Sequence, residues 1–260
     1  MKNGVKKSIY KISLCAIFVA ITVILSRLAI YLPFFGSNSY RISLIAIPII
    51  ISSFLLGPIY GGIVGGLGDL IGALLFPVGP FFIGFTFDSF LLGLLPGLIF
   101  YLNKISKKIT ATIFIIMSMA VIGVVTAYLV LNDSITLNKT KFELNIWVKI
   151  FIPIVYAALF LFSLLFPLFF KKKSGNFLVV STSFIVNEFI VSGLIASLWK
   201  QQLYNIDYFI GISTNLFLLL FNMPIKVLLI TTLYPLIKTL FDSVTKNYIV
   251  SLDSQINIKR

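Results

Sequence analysis

The chain has 260 residues, of which 59% are hydrophobic and only 11% are charged, with a net charge of +13. Soluble domains carry about a quarter charged residues, so this composition excludes a soluble globular protein. The basic residues are spread between apolar segments and do not form one face, which argues against nucleic-acid binding and is typical of the positive-inside pattern of membrane proteins. They cluster before the first apolar run, in two later loops and near the C-terminus: Lys2, Lys6, Lys7 and Lys11; Lys104, Lys107 and Lys108; Lys171, Lys172 and Lys173; Lys238, Lys246, Lys259 and Arg260.

A helix needs about 20 apolar residues to cross the hydrocarbon core of a bilayer. The sequence predicts eight spans, at 11–33, 42–57, 59–77, 81–103, 109–131, 147–170, 177–199 and 212–240. An even number of spans places both termini on one side, and the basic clusters all fall on that side, which the positive-inside rule makes cytoplasmic. We therefore predict an all-α integral membrane protein, a polytopic helical bundle whose N-terminal apolar run is retained as an anchor.

The third predicted span is rich in glycine, with three pairs at small-xxx-small spacing: Gly61 and Gly65, Gly62 and Gly66, Gly68 and Gly72. Small residues let helix backbones approach closely in lipid, which favours tight packing within the protein. A helix that slides or lines a cavity is the alternative. Asp69 lies beside this glycine face, and a carboxylate inside a span seldom faces lipid. We expect Asp69 to serve either a structural pair or substrate contact.

Two arginines are predicted near the outer ends of the first two spans, Arg27 and Arg41. Guanidinium groups bind carboxylates in a bidentate manner, so this pair indicates an anionic ligand. The alternative is that both side chains extend to the membrane interface. The segment 76–86 is aromatic and interrupted by proline and glycine. It is suited either to stacking on a flat ring or to an interfacial aromatic belt.

The last two predicted spans carry a second polar set. Asn187 and Glu188 lie near the middle of the seventh span, and Asn215, Asn222 and Lys226 follow one stripe of the eighth. Because these spans run in opposite directions, Glu188 and Lys226 reach a similar depth. An isolated charge is unfavourable there, so we predict that these two residues pair.

The residue inventory argues against catalysis by this chain. It has no histidine and a single cysteine, Cys15, so a multi-cysteine metal site cannot form. The eight acidic residues are scattered, no catalytic constellation can be assembled, and no P-loop motif is present. We expect neither an enzyme nor a cofactor or metal held by this chain.

The stretch 41–93 closely resembles the substrate-binding S component of energy-coupling factor (ECF) vitamin transporters, folate type. It contains an Arg-Ile-Ser opening, an Ile-Pro-Ile run, the core Gly-Gly-Leu-Gly-Asp-Leu-Ile-Gly-Ala-Leu-Leu-Phe-Pro, and then Gly-Phe-Thr. The Ile-Leu-Ser-Arg that ends the first span, the Asn-Met-Pro-Ile of the last span, Asn187 and Trp199 are also similar to the family. The resemblance covers about 11–103 and 177–240.

The resemblance implies a single membrane domain over 1–260 with a six-helix core. Residues 11–103 would form its first four spans and 177–240 its last two. Residues 104–176 would be an inserted helical hairpin, and 241–260 a cytoplasmic tail. An S component of the plasma membrane captures a vitamin from outside beneath its first outer loop. A coupling transmembrane subunit and two ATPase subunits then use ATP to drive release inward.

The resemblance also implies roles for particular residues. Substrate contacts are expected from six positions: Arg27, Arg41, Phe85, Thr86, Asn187 and Asn215. Ala16 and Ala20 match the small-residue motif by which S components dock onto the coupling subunit. Arg27 follows Ala20 by seven residues and projects from nearly the same side of the helix, so a role in that interface is its alternative.

Two further functions stay open at this point. The family's last helix normally carries an arginine where this chain has Asn215, which favours an S component for another vitamin, such as riboflavin. A self-sufficient secondary carrier is a third possibility. Such carriers often show internal repeats and broken midplane helices, and no convincing repeat relates the two halves of this chain.

Overall fold

The structure is a computed structural model that describes the backbone of residues 2–27, 29–34, 37–77, 81–137, 140–169 and 176–257. Side chains are described for residues 9–27, 43–77, 81–134, 143–166 and 176–243. The predicted basic cluster at 171–173 and the side chain of Arg41 lie outside these ranges.

The described residues form a helical bundle with two short β-hairpins. The helices are α1 Lys2–Leu25, α2 Ala46–Leu56, α3 Pro58–Leu75, α4 Ile83–Ile105, α5 Lys107–Leu131, α6 Ile146–Phe169, α7 Phe177–Val186, α8 Ala196–Tyr204 and α9 Tyr208–Asn257. A π-helical segment, Asn187–Ile195, joins α7 to α8 without a break. The hairpins pair β1 Ala29–Phe34 with β2 Ser37–Ser43, and β3 Ser134–Leu137 with β4 Thr140–Glu143.

The predicted fold class is confirmed. Among the described residues, six helical stretches are long and apolar enough to cross a membrane, the α7–α8 run counting as one, and two shorter apolar helices precede them. Each of the eight predicted spans corresponds to one of these stretches. The chain is therefore a multi-pass helical membrane protein.

The first two spans are shorter than predicted. The first helix ends at Leu25 and not near residue 33, because Ala29–Phe34 forms strand β1. In the hairpin Tyr31 lies opposite Arg41, and the register shifts between Leu32 and Phe34, where Pro33 has no N–H to donate to the ladder. An apolar run without clear periodicity does not distinguish a strand from a helix, which explains the wrong boundary.

Glycines bring α3 into direct backbone contact with its neighbours. A Cβ atom on Gly65 would lie 1.9 Å from the carbonyl oxygen of Ser89 in α4. A Cβ atom on Gly61 would lie 2.4 Å from the Cβ of Ser53 in α2. The contact is reciprocal, since a Cβ on Gly93 of α4 would lie 1.9 Å from the carbonyl oxygen of Gly61. No larger side chain fits at these crossings, so the interpretation of the glycine spacing as tight packing is confirmed.

The predicted inserted hairpin corresponds to α5 and α6. Helix α5 packs against α7 and α9, and its Phe114 and Val121 are buried. The hydroxyl of Tyr156 in α6, also buried, donates to the carbonyl oxygen of Leu216 in α9 at 2.5 Å. The hairpin is thus integrated with the rest of the bundle.

At the C-terminal end, α9 continues to Asn257, so the predicted tail is helical up to that residue.

We expect Gly93→Ala to lower the melting temperature of the detergent-purified protein. The added methyl group would meet the backbone of α3, and overpacking of this kind costs about 1–3 kcal/mol. Gly123→Ala in α5 is the matched control, because a Cβ there meets nothing within 4 Å and alanine favours the helix. Equal melting temperatures for the two variants would contradict this account of the glycine contacts.

Candidate ligand-binding site

A cavity of about 460 Å³ lies among α1, α2, α3 and α4. It is at the end of the bundle where α1 and α3 finish and α2 and α4 begin, which is also the end that carries the β1–β2 hairpin. Its volume is within the range of small-molecule sites, about 300–1,000 Å³. The lining residues are Thr22, Ser26, Arg27, Ser43, Ile45, Ile49, Gly65, Gly68, Asp69, Gly72, Ala73, Phe76, Pro77, Phe81, Phe82, Phe85, Ser89 and Tyr204.

Two charged side chains face this cavity from different helices. Asp69 of α3 is partly buried, and its Oδ2 accepts a hydrogen bond from the Thr86 hydroxyl at 2.8 Å. Arg27 follows α1 and is exposed. Its Nη2 donates to the carbonyl oxygen of Gly72 at 3.1 Å, and its guanidinium lies 4.9 Å from the ring centroid of Phe76. The cavity thus offers both an anionic and a cationic group.

Aromatic rings form much of the remaining wall. Phe82 meets Phe85 edge to face at 5.7 Å between centroids, and it meets Trp199 of α8 in the same manner at 5.5 Å. Such edge-to-face contacts fix the orientation of each ring. The cavity can therefore hold a flat aromatic ligand against a wall that is already ordered.

A buried polar cluster lies outside the lining of the cavity, between α4, the π-helical segment, α8 and α9. Asn215 donates to the carbonyl oxygen of Ser192 and to the hydroxyl of Ser197 at 3.3 Å, and its Oδ1 accepts from the Lys200 ammonium at 2.9 Å. Both polar atoms of its amide are therefore occupied by protein groups. Asp88 joins α4 to α8 by accepting from the Trp199 indole at 3.2 Å.

The predicted pair Glu188 and Lys226 interacts without direct contact. The carboxylate of Glu188 interacts electrostatically with Lys226 and Lys200. However, the one ion pair closer than 4.0 Å among the described residues joins Lys149 to Asp133. The Lys226 ammonium instead lies 5.5 Å from the ring centroid of Phe184. Glu188 and Lys226 therefore do not form the predicted pair as an ion pair within 4.0 Å.

Three predicted site residues line the cavity or support it, and others do not. Arg27 and Phe85 line it, while Thr86 lies behind it and holds Asp69. Asn187 is buried and donates to Ser183 of its own helix. Neither Asn187 nor Asn215 lines the cavity, because each is buried in the bundle and its amide donates to protein oxygens. The predicted contact from Arg41 lies outside the described side chains.

Sequence reasoning missed two members of the buried cluster, Asp88 and Lys200. Lys200 lies just beyond the predicted span 177–199, but helix α8 runs on to Tyr204. Asp88 falls within a predicted span, and its charge alone was a signal, since acidic residues inside a span usually have a specific partner.

The predicted docking residues lie on a different surface. Ala16 and Ala20 are exposed on α1 and line an apolar groove between α1 and α3. The groove runs alongside large apolar residues of α3, including Ile63, Leu67 and Leu75. The groove and the cavity have one lining residue in common, Phe76.

The fold and this site together define a class of protein, namely a helical membrane protein with a ligand-sized cavity at one end of the bundle. Comparison with known families then identifies the particular group. The family model for the ECF-type riboflavin transporter S component matches residues 6–162, which is more than half of the chain, and the chain belongs to this family. The match continues through α5 and into α6, the region predicted to be an insertion.

Among curated proteins, the chain is similar to two folate transporters named FolT. The one from Clostridium novyi (strain NT) is 40% identical over 68 residues, which span 26% of this chain and 40% of that protein. The one from Leuconostoc mesenteroides subsp. mesenteroides is 25% identical over 120 residues, which span 45% of this chain and 62% of that protein. A solved structure of FolT bound with folic acid shares 19% identity at a TM-score of 0.47, over 86% of this chain and 93% of that one.

The amide contacts of Asn215 generate a prediction about its role. We expect Asn215→Ala to lower the melting temperature by leaving the carbonyl of Ser192 and the Lys200 ammonium without their partner, at a cost of about 1–3 kcal/mol. Ligand affinity of the folded fraction should change little, because Asn215 does not line the cavity. Thr214→Ala is the control, since the Thr214 hydroxyl bonds only within its own helix. Lost binding with unchanged stability would restore Asn215 to the substrate site.

Proposed function

We propose that this chain is the substrate-capture subunit of an ATP-driven ECF vitamin importer, and that its substrate is folate or a related anionic vitamin with a flat ring. The observation that carries the proposal is the cavity itself. It combines a guanidinium group, Arg27, with a wall of ordered aromatic rings. Folate has a flat pteridine ring at one end and carboxylates at the other, so it matches both features.

The similarity to two folate transporters supports the same substrate. Riboflavin is the second candidate, and it is favoured by the description of the matching family. Its isoalloxazine ring would also stack on the aromatic wall. Riboflavin has no carboxylate, however, so it would leave the guanidinium of Arg27 without a charged partner.

In this proposal the subunit binds its vitamin and does not itself catalyse a reaction or hold a cofactor. ATP is hydrolysed by two partner ATPases, and a coupling transmembrane subunit passes on the resulting movement. The cavity opens toward the outside of the plasma membrane, and both termini are cytoplasmic. This orientation follows from the positive-inside rule together with the position of the cavity at the end of the bundle opposite the basic N-terminus.

The apolar groove beside Ala16 and Ala20 is the proposed docking surface for the coupling subunit. Small residues on an exposed helix face permit close approach of another helix in lipid. The groove also has few polar atoms to leave unsatisfied, as its lining is almost wholly apolar. Arg27 belongs to the cavity in this assignment, since it is among the residues that line the cavity and not among those that line the groove.

The substrate can be identified by thermal stabilisation of the purified protein in detergent. Folate, riboflavin, thiamine, biotin and pantothenate are titrated separately, and we expect folate to give the largest rise in melting temperature. A ligand that binds only the native state at 100 times its Kd contributes about 2.7 kcal/mol, a shift of several degrees. Stabilisation by riboflavin alone would move the substrate to the second candidate, and stabilisation by none would contradict the proposal.

The docking surface can be separated from the cavity with two sets of variants. We expect Ala16→Leu with Ala20→Leu to abolish co-purification with the co-expressed coupling subunit while folate affinity is retained. Arg27→Ala should do the reverse and weaken folate binding about 10- to 100-fold, the value of a charge-assisted contact. Ala157→Leu with Ala158→Leu, on the exposed face of α6, is the control. Loss of assembly in Arg27→Ala would reassign that residue to the interface.

A further inference from the structure

We propose that Asp69 is the residue that selects a 2-amino-4-oxopteridine ring over a flavin, by accepting two hydrogen bonds from the amino-pyrimidinone edge of the ring. This inference rests on the proposed function and deepens it, because it assigns the specificity of the cavity to one side chain.

The charge of Asp69 is not neutralised by any described basic side chain. No lysine or arginine nitrogen of the described side chains lies within 4.0 Å of its oxygens, and Arg27, which shares the cavity, donates to Gly72 and Ser26 instead. A carboxylate inside a membrane protein is unfavourable unless it has a partner or a function. Asp69 lines the cavity, so a ligand can supply the missing donors.

The carboxylate is held in a fixed orientation. Its Oδ2 accepts from the Thr86 hydroxyl at 2.8 Å, and its helix is fixed by the contact of Gly65, one turn earlier, with the carbonyl of Ser89. A carboxylate has about four acceptor sites on its two oxygens, and Thr86 takes one of them. Oxygen lone pairs therefore remain for a ligand, and they cannot turn away without breaking the Thr86 hydrogen bond.

The two candidate vitamins differ at the edge that a carboxylate would meet. A 2-amino-4-oxopteridine presents two adjacent donors, the ring N3–H and the 2-amino group, which match a carboxylate as the fork of a guanidinium does. The corresponding edge of a flavin presents a single N3–H between two carbonyl oxygens. A flavin would therefore gain one hydrogen bond from its N3–H. Its adjacent carbonyl oxygen would face a lone pair of Asp69 and be repelled by it.

The same comparison explains why the aromatic wall does not decide between these vitamins. Phe82 and Phe85 can stack on either ring system, because stacking depends on a flat π surface. Discrimination between flat rings requires polar groups that fit one pattern of donors and acceptors and leave another unpaired. Among the described residues that line the cavity, Asp69 is the acidic one.

The test measures the Kd of purified protein for folate, for its 2-desamino analogue, for p-aminobenzoylglutamate and for riboflavin by calorimetry. Wild-type protein should bind folate about 10- to 100-fold more tightly than the 2-desamino analogue, because one donor to a charged acceptor is missing. Asp69→Asn should lose affinity for folate by a similar factor and change little toward p-aminobenzoylglutamate, which has no pteridine. Asp133→Asn, at an exposed carboxylate far from the cavity lining, should bind all four as wild type does.

Failure of this inference differs from failure of the proposed function. If wild type binds folate but Asp69→Asn binds it equally well, the substrate stands and the role of Asp69 is overturned. If wild type binds no folate, or prefers riboflavin, the proposed function fails as well. Should Asp69→Asn not fold, the wild-type comparison decides alone, since equal affinity for folate and its 2-desamino analogue would overturn the inference.

Discussion

Direct backbone contact between α3 and its neighbours is the constraint on which the site depends. In lipid, helices gain little from burying apolar surface against one another, and close packing between small residues takes its place. The Gly65–Ser89 and Gly61–Gly93 contacts fix α3 against α4 along two turns. They thereby set the distance across the cavity between Asp69, one turn beyond Gly65, and the rings of Phe82 and Phe85. Gly65 and Asp69 thus share one face of α3, which packs on α4 and borders the cavity.

The polar groups of the bundle fall into two sets with different duties. One set joins α8, α9 and the π-helical segment through hydrogen bonds of Asn215 with Lys200 and Ser192. These hydrogen bonds hold the helices together. Asp69 and Arg27 keep acceptors or donors directed at an open space. Phe82 connects the two sets, since it lines the cavity and packs on Trp199 beside the buried cluster. The order of the cluster is thus transmitted to the wall of the site.

The helices could be predicted from the sequence because the bilayer dictates their length and hydropathy. The close packing of α3 could be predicted because the spacing of its glycines indicates helix contact directly. The sequence was insufficient for the β1–β2 hairpin, whose apolar residues continue the first span without a change of composition. It also could not separate Asn215 from the cavity. Periodicity gives the face on which a side chain lies, but the partner on that face, here Ser192 and Lys200, depends on how the helices are arranged. The sequence marks Asp69 as unusual, but only the structure shows that no described base lies within 4.0 Å of it.

The family description and the names of the two relatives refer to different vitamins, and the physical basis of the fold accounts for this. The matching family model spans residues 6–162, most of which are apolar residues of membrane helices that do not line the cavity. Specificity is carried by the few polar atoms that face the cavity, because function lies in a site placed on a shared scaffold. A carboxylate held by Thr86 and an arginine held by Gly72 give the cavity one acceptor group and one cation. In the proposed function the donor edge of a pteridine meets the acceptor, whereas a flavin would offer it a single N3–H and would offer Arg27 no anion.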